Sequence, residues 1–69
     1  MSVILTFEQT EIHTAFERDN AMVDLRDKRT GDTLIEWWDY EVSEAIDDGF
    51  LDANNWHKSA YDCYVRNNR

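Results

Sequence analysis

The hydrophobic periodicity of this chain changes once, after Trp38, and this change constrains the fold more than any other feature of the sequence. Before Trp38, apolar or β-branched residues alternate with other residues at a period of two, which is typical of strands with one buried face. The alternating runs are Val3, Leu5 and Phe7, then Ile12, Thr14 and Phe16, then Ala21, Val23 and Leu25, and finally Thr33 to Trp38. After Trp38, Val42, Ala45 and Ile46 have the spacing of one helix face. The sequence therefore predicts strands first and helices last.

Two turns are expected between the predicted strands. Asp19-Asn20 is a plausible turn between the second and third runs. The stretch from Lys28 to Asp32 is a stronger one, because Gly31 can take the positive φ that a hairpin bend requires. These turns make the strands antiparallel.

The helix boundaries follow from capping residues. Gly49 suits the position just after a helix, with Phe50 able to fold back on the last turn. Asn54 and Asn55 are both good N-caps for a second helix. The inner stripe of that helix is expected to consist of Trp56, Ala60, Cys63 and Tyr64. Helices are therefore predicted near residues 40–48 and 55–66.

These elements predict an α+β fold: a small antiparallel β-meander of three or four strands, followed by two short α-helices packed on one face. Residues 1–69 are expected to form a single compact domain. An alternative for Glu8 to Arg18 is a helix, because Ile12, Ala15 and Phe16 also fit helical spacing. The core is expected to contain Val23, Leu25, Ile35, Trp37, Ile46 and Trp56.

The negative charge of the chain is confined to one segment. The formal net charge is −8, and residues 30–57 contain eight acidic residues and no Lys or Arg. The rest of the chain carries seven acidic and seven basic residues, so it contributes no net charge. Such a molecule is repelled by nucleic acid and by anionic membranes, since both are polyanions. Any partner is expected to be positively charged.

Residue patterns that would indicate catalysis, a metal site or a cofactor site are missing. His13 and His57 have no His, Cys or Asp at ligand spacing, and Cys63 is expected to be an inert buried thiol. Asp47-Asp48-Gly49 followed by Asp52 does not fit the twelve-residue calcium loop. We therefore expect no enzymatic activity, no catalytic residue, no metal and no cofactor.

The compartment is predicted from cysteine usage and from the lack of a long apolar run. A lone cysteine cannot form an internal disulfide, which favours a reducing interior. The N-terminal SVILTF is too short for a signal peptide, and no apolar run approaches the roughly 20 residues that span a bilayer. A cytoplasmic location is expected.

On the first predicted helix, Glu41, Glu44 and Asp48 have the spacing i, i+3 and i+7 and fall on one face. Such neighbours are about 5–6 Å apart and repel one another by a few tenths of a kcal/mol per pair. Their separation is of the same order as the ~3.4 Å rise per phosphate on each strand of duplex DNA. A carboxylate row of this kind could occupy a cationic groove built for nucleic acid. The alternative is a solvated face without a partner.

Trp37 and Trp38 are expected to point to opposite faces of the sheet, because they are adjacent on a predicted strand. One of them packs under the helices with Trp56, while the other lies on the outer sheet face with Leu34 and Met22. The sequence leaves open which one is exposed. The exposed tryptophan is a second candidate for contact with a partner.

The small size, the strong acidity and the carboxylates clustered beside aromatic residues resemble the DNA-mimic inhibitors of bacteriophages, anti-CRISPR proteins among them. The resemblance is one of general character and depends on Glu36, Asp39, Glu41, Glu44, Asp47, Asp48 and Asp52. It implies an inhibitor in the host bacterial cytoplasm that binds a basic nucleic-acid-binding protein or Cas complex and blocks recognition of target DNA. Restriction enzymes and nucleoid proteins are alternative targets.

The net charge of −8 predicts no direct binding to nucleic acid or to membranes, and we expect a monomer or a weak homodimer. The competing interpretation is a non-enzymatic protein interaction module. In that case the exposed tryptophan face makes the contact, and the acidic residues serve solubility.

Overall fold

Three of the four period-two segments form a three-stranded antiparallel sheet, and two helices follow it, in the computed structural model of the chain. The structure describes residues 3–18 and 20–69. A 3₁₀ turn at Phe7–Gln9 precedes β1 (Thr10–Glu17), β2 (Asn20–Asp27), β3 (Thr33–Trp38), α1 (Tyr40–Asp47) and α2 (Trp56–Asn67). The strand order is β1-β2-β3, so β2 is central. The predicted α+β fold is confirmed.

The register places one set of alternating residues under the helices. Leu25 on β2 lies opposite Ile12 on β1 and Ile35 on β3, while Val23 lies opposite Thr14 and Trp37. Leu25 and Val23 are fully buried, and they pack in one cluster with residues of both helices. Both helices therefore cover the same face of the sheet, here called the inner face.

An irregularity in the register corrects the predicted position of Leu34. Arg26 pairs with Thr33 whereas Leu25 pairs with Ile35, so β3 has one extra residue at this point. Such a bulge changes which face the following side chains take. Leu34 consequently packs against the core rather than beside Trp38 on the outer face.

The run from Val3 to Phe7 does not form a strand. The helical alternative for Glu8 to Arg18 is wrong, because β1 occupies Thr10–Glu17. The backbone near Leu5 bonds instead to tyrosine hydroxyls of α2. The Leu5 N–H donates to Tyr64 Oη at 3.0 Å, and Tyr61 Oη donates to the Leu5 carbonyl at 2.8 Å. These bonds satisfy buried backbone groups that a strand partner would otherwise satisfy.

The two predicted turns differ in outcome. Gly31 adopts a φ of 80° and donates its N–H to the Asp27 carbonyl at 2.8 Å, as expected for the tighter turn. Asp27 also accepts the Arg29 N–H through Oδ1, and this bond holds the pKa of that carboxyl below its usual value. In the other turn Asn20 already belongs to β2, paired with Glu17, and Asp19 lies outside the described residues.

Helix α1 ends as its glycine predicts. Gly49, with a φ of 83°, donates to the Ile46 carbonyl, and Phe50 donates to the Ala45 carbonyl at 2.8 Å. This pair of bonds is a Schellman motif, which satisfies carbonyls that the helix end leaves free. The chain then returns to the core at Leu51, which is 3% exposed.

The core differs from the expected one at Ile46. Ile46 is 40% exposed, because α1 turns Val42 and Ala45 inward and Leu51 fills the space below the helix end. Ile35, Trp37 and Trp56 are half-buried and pack against the cluster from its margin. The buried cluster itself consists of Leu5, Val23, Leu25, Val42, Ala45, Leu51, Ala60 and Tyr64.

Candidate partner-binding surface

The seven acidic residues between Thr33 and Asp52 are all exposed. They are Glu36 on β3, Asp39 in the β3–α1 connection, Glu41, Glu44 and Asp47 on α1, Asp48 at its C-cap, and Asp52 in the α1–α2 connection. The name acidic segment is used below for these seven residues. They were predicted as partner-binding residues from the sequence, and the fold presents each of them to solvent.

No ion pair within residues 3–18 and 20–69 involves the acidic segment. The pairs in this part of the chain join Glu11 to His13, Asp24 to Arg26, Asp27 to Arg29 and Asp62 to Lys58. In each of these pairs the acidic residue lies outside the acidic segment. The carboxylates of the acidic segment keep their charge uncompensated by direct contact, which leaves them free to attract a cationic surface.

Three of the acidic residues lie along one groove, and the others do not. Glu41, Glu44 and Asp48 line a depression of about 190 Å³ together with Trp37, Ala45 and Phe50. Asp47 is on α1 but does not line this groove. Glu36 is opposite Asp24 in the sheet register, on the face away from the helices. The acidic segment is therefore spread over more than one face of the fold instead of forming a single row.

Two members of the acidic segment also have local structural contacts that the sequence did not indicate. Asp52 accepts the Asn54 N–H through Oδ1 at 2.8 Å, and its own N–H donates to Ser59 Oγ at 3.0 Å. These bonds shape the turn before α2. Glu41 accepts the Trp38 N–H through Oε1 at 3.4 Å, near the start of α1. The asparagine or glutamine side chain could preserve the acceptor at each position.

Asp39 has a strained backbone. Its φ is 50° and its ψ is −122°, a combination that favours glycine. Its N–H donates to the Ala21 carbonyl at 2.6 Å and its carbonyl accepts the Val42 N–H, so the surrounding bonds hold this conformation. A non-glycine residue in such a region costs on the order of 1–3 kcal/mol. The side chain makes no capping hydrogen bond that would offset the cost.

Replacing Asp39 with Gly is expected to stabilise the protein. Relative to Asp39→Asn, which removes the same charge but keeps a Cβ, Asp39→Gly should raise the unfolding free energy by about 1 kcal/mol. For a domain of this size that corresponds to roughly 4–8 °C in melting temperature. Thermal unfolding by circular dichroism measures both variants. Equal melting temperatures would show that Asp39 is not strained.

The outer face of the sheet carries the exposed tryptophan. Trp38 is 52% exposed and Trp37 packs against the core, which answers the question left open by the sequence. Trp38, Met22 and Ala15 line a depression of about 390 Å³, which Glu17 and Asp39 border. The same face contains Asp24, which is 1% exposed and bonds to Arg26 through one carboxylate oxygen. Neither the alternation of β2 nor its composition indicates that this carboxylate is buried.

The environment of the Cys63 thiol does not favour reactivity. Burial raises the pKa of the Cys63 thiol, and its Sγ donates to the Phe50 carbonyl at 3.3 Å. A raised pKa keeps the thiol protonated and unreactive. In the part of the chain that the structure describes, no group of three or more His, Cys, Asp and Glu residues could hold a metal ion.

His57 links the start of β1 to α2. The Thr10 hydroxyl donates to the Phe7 carbonyl at 2.7 Å, so His57 donates to Thr10 Oγ1 through Nε2–H, at 2.9 Å. The centroids of the Phe7 ring and the His57 imidazole are 3.9 Å apart. Desolvation, followed by the nearby charge of Lys28, lowers the pKa of His57.

This lowered pKa makes stability depend on pH. Below the unfolded-state pKa of about 6.5, the unfolded chain binds a proton at His57 that the folded protein does not, so stability falls as pH falls. We expect the melting temperature to drop more between about pH 7.5 and pH 5.5 in the wild type than in His57→Gln. Both proteins retain His13 and all carboxylates, so the difference reports His57. An identical drop would refute the assignment.

Comparison of the chain with protein-family models, curated proteins and solved structures gives no match. Among residues 3–18 and 20–69, no helix has the length and apolar character needed to cross a bilayer.

Proposed function

We propose that this protein is a small acidic inhibitor, a DNA mimic of the anti-CRISPR type encoded by bacteriophages. It binds a cationic DNA-binding surface of a host defence complex in the bacterial cytoplasm and blocks recognition of target DNA. It has no enzymatic activity of its own. The observation that supports the proposal is the acidic segment, whose seven carboxylates are exposed and take part in no ion pair within the described residues.

This arrangement of carboxylates has an energetic cost in the free protein. Carboxylates at i, i+3 and i+4 on a helix repel one another, and interspersed lysines would remove that repulsion. Asp47 and Asp48 are also at the negative end of the α1 dipole, where acidic residues are unfavourable. A cationic groove relieves both penalties on binding and accelerates association by electrostatic steering. Surfaces that bind nucleic acid offer cationic grooves of this kind, because they neutralise phosphates with Lys and Arg.

A second candidate function rests on the outer sheet face. Trp38 is half exposed above the depression that it forms with Met22 and Ala15. Exposed tryptophans are common anchors in protein interfaces. In this case the protein is an interaction module that binds through Trp38, and the acidic segment maintains solubility.

Salt dependence separates the two functions. Raising the ionic strength from about 0.1 M to about 1 M shortens the Debye length from ~10 Å to ~3 Å, which screens exposed charges. Partners captured from a bacterial lysate by the immobilised protein are identified by mass spectrometry and then assayed in purified form. We expect the wild-type affinity to fall steeply with salt and Trp38→Ser to bind normally. An affinity that is insensitive to salt but is lost in Trp38→Ser would contradict the DNA-mimic function and support the second candidate.

A further inference from the structure

The groove beside α1 combines an apolar floor with a charged wall. Trp37, Phe50 and Ala45 provide the apolar surface, and Glu41, Glu44 and Asp48 border it along one helix face. Phe50 is 47% exposed although it is a large aromatic residue, and Trp37 is half-buried. The fold therefore leaves aromatic surface accessible within reach of three carboxylates that form no ion pair in the described part of the chain.

Phe50 already contacts a guanidinium group of this chain. The Arg66 Cζ atom lies 5.2 Å from the centroid of the Phe50 ring, which is within the range of a cation–π contact. Arg66, Ile35 and Cys63 line a second depression of about 230 Å³ that shares Trp37 and Phe50 with the groove. The two depressions thus adjoin along the same pair of aromatic side chains, and one of them contains a guanidinium.

We propose that the groove formed by Trp37, Phe50, Glu41, Glu44 and Asp48 receives an arginine side chain of the basic partner. The inference rests on the proposed function and names the contact through which the acidic segment is anchored. Arginine fits both parts of the groove, because its planar guanidinium stacks on aromatic rings and donates two parallel hydrogen bonds to a carboxylate. Lysine carries the same charge but is a compact, strongly hydrated ammonium, so it gains less from the aromatic floor.

The test uses short Gly/Ser peptides that carry either several arginines or the same number of lysines. Nuclear magnetic resonance of the ¹⁵N-labelled protein follows the tryptophan indole N–H signals and the backbone amides during each titration. We expect the arginine peptide to shift the Trp37 indole and the Ala45 and Phe50 amides, and to bind more tightly than the lysine peptide.

Phe50→Leu keeps an apolar side chain but removes the aromatic face. It should weaken binding of the arginine peptide about twofold to fivefold, since an exposed cation–π contact is worth ~0.5–1 kcal/mol. Phe16→Leu is the matched control, because Phe16 is another exposed aromatic residue but contacts Trp56 instead of the groove. It should bind like the wild type, and both variants should fold.

Other outcomes would contradict arginine binding in the groove without contradicting partner binding by the acidic segment. Equal affinity for both peptides, with shifts at Glu41 and Glu44 but none at Trp37, would show that the carboxylates act by charge alone. Groove signals that shift with protein concentration before peptide is added would identify a second copy of this chain as the occupant. Failure of the proposed function would be seen in the salt experiment instead, because partner binding would then be insensitive to salt.

Discussion

Combined replacement of Glu41, Glu44, Asp47 and Asp48 by their amides is expected to abolish partner binding. Each exposed carboxylate contributes little alone, typically about 0.2–1 kcal/mol, so Glu44→Gln should barely change affinity. Four such contributions together amount to about 0.8–4 kcal/mol, which is up to roughly 900-fold in affinity. Isothermal titration or surface plasmon resonance with the captured partner measures the loss.

The quadruple variant should be at least as stable as the wild type. Its amides relieve like-charge repulsion on α1, and Gln at position 41 retains an acceptor for the Trp38 N–H. A loss of binding therefore cannot be attributed to unfolding if the melting temperature is unchanged.

The matched control neutralises four acidic residues outside the acidic segment: Glu8, Glu11, Glu17 and Asp62. It carries the same net charge as the quadruple variant, and it should retain most of the affinity. If both variants lose binding equally, net charge matters and the acidic segment has no special role.

Truncation of Leu25 is the substitution with the largest expected effect on stability. Leu25 is fully buried at the centre of β2, between Ile12 and Ile35 and beneath the helices. Leu→Ala at such a site typically costs about 2–5 kcal/mol. Small domains have little more than about 5 kcal/mol in total. Leu25→Ala should therefore be largely unfolded at 25 °C by circular dichroism.

Ile46→Ala provides the control for this prediction. It also shortens an aliphatic side chain to a methyl group, but Ile46 is 40% exposed and alanine favours the helix. Its melting temperature should stay close to that of the wild type. A folded Leu25→Ala protein, or an unfolded Ile46→Ala protein, would show that the core has been misplaced.

The fold could be predicted from the sequence because hydrophobic period and turn chemistry agree in most segments. The strand pairing follows from alternation around Val23 and Leu25, and both helices begin and end within two residues of the predicted positions. Gly31 and Gly49 adopt the positive φ values that their turns require. Each of these features depends on neighbours in the sequence, which a local pattern records.

The features that could not be predicted depend on contacts distant in the chain. The run from Val3 to Phe7 alternates like a strand, but hydroxyl groups of α2 satisfy its backbone. The exposure of Ile46 follows from Leu51 entering the core, and the position of Leu34 follows from a bulge. The strained backbone of Asp39 is held in place by a hydrogen bond to Ala21, which is distant in the chain. No local pattern carries this information.

The candidate surface could be predicted in composition but not in shape. The absence of basic residues between Thr33 and Asp52 indicated an exposed acidic region, and all seven carboxylates are at the surface. Helical spacing also grouped Glu41, Glu44 and Asp48. The groove with Trp37 and Phe50 depends on the α1–α2 connection, and the orientation of Glu36 depends on strand register.

Competition with duplex DNA tests the central claim most directly, because a DNA mimic and DNA must occupy the same surface of the partner. The purified partner is saturated with the labelled protein, and duplex DNA that carries the partner's binding site is added at constant ionic strength. We expect that the duplex displaces the protein, and that excess protein prevents the duplex from binding. A stable ternary complex of partner, protein and duplex DNA would contradict it.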